Sequence, residues 1–220
     1  GIHILIYDVA YGKMTINGIS ATGRPRKFDE ATAVHDATMV FWRHGYEATT
    51  SAMLTAGTGL NPSSLYNTFR SKHGLFLAAL EHYNQMLSER LLPLTQGRDG
   101  LADIEKFLRQ LRQAMQGKSA IQGCLMANTL GEGIAGNADV SLHTTTYEQR
   151  IHSAFRIALE RAVSLGEVDA SAPEPASRIL VSAMIGALVT NRNKLLGIDE
   201  HFTETLMAML GRWSNSPGVT

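Results

Sequence analysis

The chain has 220 residues, of which 44% are hydrophobic, and its 20 basic side chains balance 20 acidic ones. This much apolar material is ample for a folded core and argues against a disordered chain, while the zero net charge gives no overall preference for nucleic acid. The single cysteine, Cys124, excludes an intramolecular disulfide framework and suits a reducing cytoplasm, and no apolar run approaches the ~20 residues of a membrane span.

The first 22 residues are left out of the fold prediction. Residues 1–9 are apolar but short, and they lack both a basic leader and a clear cleavage site, so we reject a signal peptide. Met14 could be the native initiator, in which case residues 1–13 are an added or upstream-translated sequence. We therefore expect residues 1–22 to be disordered or to derive from such a sequence.

From residue 28 onward, apolar residues recur at helical spacing and no alternation typical of a strand is present, which predicts an all-α chain. The first helix is expected over residues 29–44, with Gly45 as its C-terminal stop. A short second helix should be capped by Thr49 or Thr50 and end in the turn at 57–59. Its apolar side is expected to comprise Met53, Leu54 and Ala56.

The third and fourth helices begin at clear capping residues. Asn61 is a good N-cap, and Pro62 suits the first position of a third helix of about seven residues because its missing N–H costs nothing there. Ser71 is expected to cap a long fourth helix that runs to Pro93. Further helices are predicted over 101–115, 138–165, 174–196 and 200–213, with a glycine-rich stretch between 117 and 136.

The first three helices match helix-turn-helix geometry, in which the second helix of the motif presents its N-terminal side chains to the major groove of DNA. Leu65 and Phe69 lie four residues apart and should pack inward. This leaves four residues nearer the outside, where small polar groups can approach base edges closely: Pro62, Ser63, Ser64 and Asn67.

Other polar residues are better placed for the DNA backbone. Tyr66 and Lys72 should contact phosphates from the rim, and Thr50, at a helix N-terminus, could offer its hydroxyl and N–H to another. An arm ahead of the first helix could reach the backbone or the minor groove through Arg24, Arg26 and Lys27. The arm could also be a solubilising tail. Residues 24–74 carry a net charge of +2 and residues 75–220 a net charge of −2, which supports the DNA interpretation weakly.

Residues 41–50, 59–60 and 64–76 together resemble the DNA-binding domain of the TetR (tetracycline-repressor) family. The diagnostic spacings are an aromatic pair followed after two residues by Gly-Tyr and then Thr-Thr, and a Leu-Tyr followed by Phe and then Lys, each after two residues. The stretch Gly-Cys-Leu-Met-Ala-Asn-Thr at 123–129 also resembles a segment of many members' ligand-binding domains. A structural three-helix bundle with incidental polarity is the alternative.

The resemblance implies an all-helical homodimer with two parts. A helix-turn-helix DNA-binding domain would span 23–74, and a helical effector-binding and dimerisation domain would span 75–215, with the last two helices at the dimer interface. The effector would bind among the later helices, in a mainly apolar pocket whose wall is predicted to include Phe107, Leu111, Met115, Met126, Asn128, Tyr147, Phe155 and Met184. Most of these positions could equally be plain core.

Three further motifs have competing interpretations. Residues 131–136 match G-x-G-x-x-G, but without a preceding strand we predict a flexible interhelical loop rather than a nucleotide site. Cys124 could be an oxidation sensor, although no Lys or Arg lies within four residues of it and a buried core position is favoured. Glu148, His152 and His143 could share a metal, but their spacing matches no recognised ligand pattern and a solvated polar face is favoured.

The sequence thus predicts a non-enzymatic, ligand-responsive transcriptional repressor, with no cofactor, no metal site and no membrane association, located in the cytoplasm. Its partners would be a palindromic double-stranded DNA operator, a second copy of the chain and a small-molecule effector. The alternatives are a helical metal-dependent enzyme using Glu148 and His152, or a DNA-binding protein without an effector. Activation instead of repression is also open, because the sign depends on operator position.

Overall fold

A computed structural model describes residues 29–116, 123–192 and 201–214. Within these ranges all regular structure is helical, which confirms the predicted all-α fold class. The predictions for residues 1–22 and for the basic arm (Arg24, Arg26, Lys27) lie outside the described residues. Among the described helices, none is both long enough and apolar enough to cross a membrane.

The first three helices begin and end where local sequence chemistry dictates. Helix α1 spans Glu30–His44, α2 spans Ser51–Thr58 and α3 spans Pro62–Phe69. Their N-caps are Asp29, Thr50 and Asn61, and each side chain accepts a hydrogen bond from a backbone N–H of the first turn. Thr50 rather than Thr49 is therefore the cap of α2; the Thr49 hydroxyl donates to the Gly45 carbonyl instead.

The long fourth helix ends earlier than predicted. Helix α4 spans Lys72–Arg90, capped by the Ser71 hydroxyl, and a separate short helix α5 spans Leu92–Gln96. Pro93 therefore lies in the first turn of a new helix instead of ending the old one. A proline is tolerated there because the first N–H groups of a helix have no intrahelical partner.

The remaining helices form the larger part of the chain. Helix α6 spans Leu101–Gln116, α7 spans Leu125–Leu130, α8 spans Ala138–Ser164, α9 spans Pro173–Arg192 and α10 spans His201–Gly211, with a 3₁₀ turn at Gly133–Gly136 between α7 and α8. Helix α8 packs along both α9 and α4, so it forms the spine against which the other helices lie.

One continuous core joins the first helices to the rest. Phe41 of α1, Leu54 of α2 and Leu65 of α3 are buried in the same cluster as Phe76 of α4 and Phe155 of α8. The predicted apolar side of α2 is partly wrong: Leu54 is buried, but Met53 is 37% exposed and Ala56 is also exposed. With only eight residues, α2 presents a single position fully to the core, and the rest of its surface remains outside.

Candidate nucleic-acid interface

Helix α3 presents small polar groups outward, as the helical spacing predicts. Pro62, Ser63 and Asn67 are exposed and Ser64 is half-buried, while Leu65 and Phe69 are in the core. The Asn61 side chain accepts a hydrogen bond from the Ser64 N–H at 2.8 Å, which holds the first turn of the helix. The outer face of α3 is thus short side chains on a capped helix, a surface that can approach base edges closely.

Tyr66 is oriented by the neighbouring helix. Its hydroxyl lies 2.7 Å from the Ser51 hydroxyl of α2, and either group can donate. When Ser51 donates, the phenolic proton remains available to a phosphate oxygen, and the Tyr66 ring is half-buried between the helices. The bond therefore fixes the orientation of the Tyr66 hydroxyl and also ties α2 to α3.

Thr50 is already used as a cap. Its hydroxyl oxygen accepts from the Met53 N–H at 3.2 Å, and the residue is exposed at the N-terminus of α2. A hydroxyl that accepts one hydrogen bond can still donate its own proton. The exposed end of α2 therefore keeps one hydroxyl donor and a favourable helix-dipole end for an anion.

The Lys72 ammonium is held by the loop between α1 and α2. Its Nζ lies 4.5 Å from the centroid of the Tyr46 ring and 3.5 Å from the Glu47 carbonyl oxygen. A cation over the face of an aromatic ring is attracted by the ring's quadrupole. Lys72 is thus pre-positioned at the rim of the helix-turn-helix, on the side of the loop that leads into α2.

The loop itself is bound by a residue far along the chain. The Glu132 carboxylate accepts hydrogen bonds from the Tyr46 N–H at 2.9 Å and the Glu47 N–H at 3.3 Å. Gly45 begins the loop with a φ of 79°, and any Cβ at this position would collide with the Glu132 carboxylate. The positive φ favours glycine here, and a Cβ would in addition force the Glu132 carboxylate to move.

Two further contacts join the helix-turn-helix region to residues far along the chain. The buried Trp42 indole donates to the Gly123 carbonyl at 3.1 Å, and the His73 Nε2 lies 2.7 Å from an Asp139 carboxylate oxygen. Hydrogen bonding to His73 is the main reason that the pKa of Asp139 is below its ordinary value. Sequence reasoning missed Glu132, His73 and Asp139, since each pair is separated by more than 60 residues and no local pattern marks it.

The turn after α3 has an unusual backbone. Arg70 has φ 65° and ψ −36°, and the Ser71 N–H donates to the Phe69 carbonyl across it at 2.8 Å. This is close to a γ-turn with positive φ, which is strained for a residue other than glycine. The side chain of Arg70 is exposed, so the strained turn carries a cation beside the end of α3.

The predicted effector-binding residues lie in the core or against it. Phe107 and Phe155 pack edge to face with ring centroids 5.6 Å apart, and Leu111 and Met115 are half-buried against the same core. The other four are buried: Met126, Asn128, Tyr147 and Met184. They belong to α6, α7, α8 and α9.

Cys124 is a core residue, as favoured, with 2% of its surface exposed. The Tyr83 hydroxyl donates to its sulfur at 3.4 Å, and the Tyr147 hydroxyl lies 3.1 Å from the same sulfur. Burial, and secondly the neighbouring thiol, raise the pKa of Tyr147 well above its ordinary value. Tyr83, Cys124 and Tyr147 therefore form a buried set of hydrogen-bonding groups in the core.

The residues considered as metal ligands do not share a site. His143 faces Glu81, with its Nδ1 3.5 Å from a carboxylate oxygen, whereas His152 lies 3.0 Å from the Ser177 hydroxyl. Glu148 is exposed, and across the described ranges no three His, Cys, Asp or Glu side chains are grouped to hold a metal ion. The segment 131–136 is a turn between two helices, the interhelical position that was predicted for it.

Comparison with known proteins agrees with this geometry. A model of the family described as bacterial regulatory proteins, tetR family, matches residues 34–79. The uncharacterized HTH-type transcriptional regulator YezE of Bacillus subtilis is 30% identical over 152 residues, which are 67% of this chain and 76% of that protein. The HTH-type transcriptional repressor ComR of Escherichia coli is 48% identical over 61 residues, which are 28% of this chain and 29% of that protein.

The likeness extends to the whole fold. A cysteine-substituted form of the TetR family transcriptional regulator CifR, solved in complex with 26-bp double-strand operator DNA, superposes with a TM-score of 0.67 and 26% identity over 89% of this chain and 100% of that chain. The family match covers the helix-turn-helix at α2 and α3, and the similarity to YezE extends well beyond it. Both findings agree with the resemblance seen in residues 41–76. The chain belongs to the TetR family of bacterial transcriptional regulators.

Proposed function

We propose that this chain is a ligand-responsive repressor that reads operator DNA with α3. The observation that carries the proposal is the outward face of α3, short and polar, with the Lys72 ammonium and the Tyr66 hydroxyl held at its rim. A related protein is named a repressor and another was solved on operator DNA, which supports the same role here. The proposed DNA contacts are Arg24, Arg26, Lys27, Thr50, Pro62, Ser63, Ser64, Tyr66, Asn67 and Lys72.

We propose a homodimer formed through α9 and α10. The outward face of α9 carries Ile179 and Val189, which are 42% and 38% exposed, with the exposed Gly186 between them. The other face of the same helix packs Leu180 and Met184 into the core, so α9 is apolar on two sides. A two-fold dimer places its reading helices about one turn of DNA apart, which predicts an approximately palindromic operator.

The effector is proposed to bind at the junction of α6 to α9, among the eight predicted residues. Their mainly apolar character, together with the buried polar groups of Asn128 and Tyr147, suits a hydrophobic small molecule oriented by a few hydrogen bonds. An effector that prefers the arrangement with low DNA affinity weakens DNA binding by linkage, and a coupling of ~1–3 kcal/mol changes the affinity by about 5- to 150-fold.

This function divides the chain into a DNA-binding part at 23–74 and an effector and dimerisation part at 75–215. It is non-enzymatic, because its work is done by binding energy alone, and we propose the cytoplasm as its location because the operator must be accessible there. The contacts of Trp42, Glu132 and Asp139 lie across this division and would carry the coupling between the two parts.

The test is selection of bound duplexes from a random library with the purified protein, repeated with Lys72→Ala and Ser63→Ala. We expect an enriched near-palindrome; Lys72→Ala should weaken binding with little change in preferred sequence, because phosphate contacts do not read bases, whereas Ser63→Ala should change the preference at one position of each half-site. Lys106→Ala, which removes an exposed cation from α6, is the matched control and should leave binding unchanged. No enrichment at any salt concentration would refute the proposal.

A further inference from the structure

We propose that Glu132 is a positioning residue for DNA binding, which holds the phosphate-contacting Lys72 in place through the loop between α1 and α2. The inference rests on the proposed function. It adds that Glu132, which lies in the proposed effector part, sets the position of a loop in the DNA-binding part. Three observations carry it: the binding of the loop by the carboxylate, the binding of Lys72 by the same loop, and the position of Glu132 directly after α7.

The Glu132 carboxylate binds the loop through two adjacent backbone N–H groups. One oxygen of Glu132 accepts from the N–H groups of both Tyr46 and Glu47, at 2.9 and 3.3 Å. Hydrogen bonds to a charged acceptor are about twice as strong as neutral ones. A Cβ at position 45 would meet this carboxylate, so a larger residue there would displace the Glu132 side chain from its place. The loop therefore has one position relative to Glu132 in which both N–H groups are satisfied.

The same two residues hold Lys72. The Tyr46 ring lies 4.5 Å under the ammonium and the Glu47 carbonyl lies 3.5 Å from it. The Tyr46 ring is itself packed against Phe76, with centroids 4.8 Å apart, so its position is set by the loop and the core together. A displacement of the loop consequently moves both groups that define where the ammonium points.

Glu132 also lies next to the proposed effector site. Helix α7 ends at Leu130, and it contains the buried Met126 and Asn128. Glu132 lies only two residues beyond the end of α7, so a shift of α7 on effector binding would move Glu132 directly. The second link, His73 to Asp139, has side chains that are 30% and 50% exposed, so water screens it and we expect it to contribute less.

The first measurement needs no DNA. Hydrogen–deuterium exchange is followed in peptides covering residues 43–50, in the wild type and in Glu132→Ala, with Glu148→Ala as the control because it removes an exposed carboxylate from the same part of the chain. We expect exchange at Tyr46 and Glu47 to be faster only in Glu132→Ala. Unchanged exchange would overturn the inference at its first step.

The second measurement is a double-mutant cycle on Kd, with a labelled duplex selected by the wild-type protein. Glu132→Ala should weaken binding by about 10-fold, within the range typical of coupling between sites, and should reduce the slope of log Kd against log salt by about 1, as Lys72→Ala does. In the Lys72→Ala background, Glu132→Ala should change Kd by less than about two-fold, because its effect acts through that lysine.

Several outcomes would contradict the inference. Additive losses in the double variant, or an unchanged salt slope in Glu132→Ala, would show that Glu132 supports the fold in general and not Lys72. If Glu132→Ala does not fold, Glu132→Gln replaces it in the cycle: this variant keeps a neutral acceptor and should lose about three-fold in affinity, again only when Lys72 is present. A wild type that binds no duplex would instead refute the proposed function itself.

Discussion

Replacement of Trp42 by phenylalanine should destabilise the protein strongly. The indole is buried, and its N–H donates to the Gly123 carbonyl at 3.1 Å. Phenylalanine has no donor, so the carbonyl loses its partner in a buried place, which costs about 1–3 kcal/mol. The missing five-membered ring leaves a void that adds about 1–2 kcal/mol. The edge-to-face contact with Tyr83, at 5.2 Å between centroids, is partly retained.

A loss of about 3 kcal/mol corresponds to a fall in Tm of about 6–12 °C for a chain of this size. The assay is thermal melting followed by far-UV circular dichroism at one fixed protein concentration, since the Tm of the proposed dimer would depend on concentration. Trp213→Phe is the matched control: Trp213 is only half-buried and should lose less than half as much. An equal fall in the two variants would refute the argument from the Trp42 hydrogen bond.

Three further predictions concern single residues. Asn61→Ala removes the cap that binds the Ser64 N–H, and it should cost about 1 kcal/mol, seen as a lower Tm than that of Asn67→Ala on the exposed side of the same helix. Arg70→Gly relieves the positive φ, and it should raise the stability by about 1 kcal/mol in a denaturant titration; a loss would show that the turn is not strained. Burial, and secondly His35, lower the pKa of His82, so the folded state disfavours the protonated ring. Stability is therefore full above the ordinary pKa of about 6.5 and falls as the pH drops below it, and His82→Gln should show a smaller fall in Tm between pH 7 and pH 5.5.

Local chemistry predicted most of the helix boundaries. Asn61 and Ser71 are caps because their side-chain oxygens reach a free N–H in the first turn, and this depends only on neighbours in sequence. The end of α4 was harder to predict. Pro93 can end a helix or begin one, and the choice between these depends on where the chain must turn to pack α5 against α8.

The outward face of α3 was predicted for the same reason. Leu65 and Phe69 lie one helical turn apart, so burial of this pair turns Ser63 and Asn67 outward whatever the remainder of the fold is. The interface of α2 was less predictable, because an eight-residue helix can turn any of several apolar residues to the core. Only packing against α1 decides that Leu54 is buried and Met53 is not.

By itself, the sequence determined the all-α class, the caps Asn61 and Ser71 and the polar face of α3, because each of these depends on residues within one or two turns of one another. The tertiary structure alone decided that Glu132 binds the loop before α2, that Asp139 meets His73 and that Gly123 accepts from Trp42. These partners lie 66 to 86 residues apart, and no periodicity or capping rule operates over that distance. They meet because the hydrophobic core brings α7 and α8 against α1 and α4, and hydrophobic burial is non-directional, so sequence pattern alone does not specify which polar groups it places together.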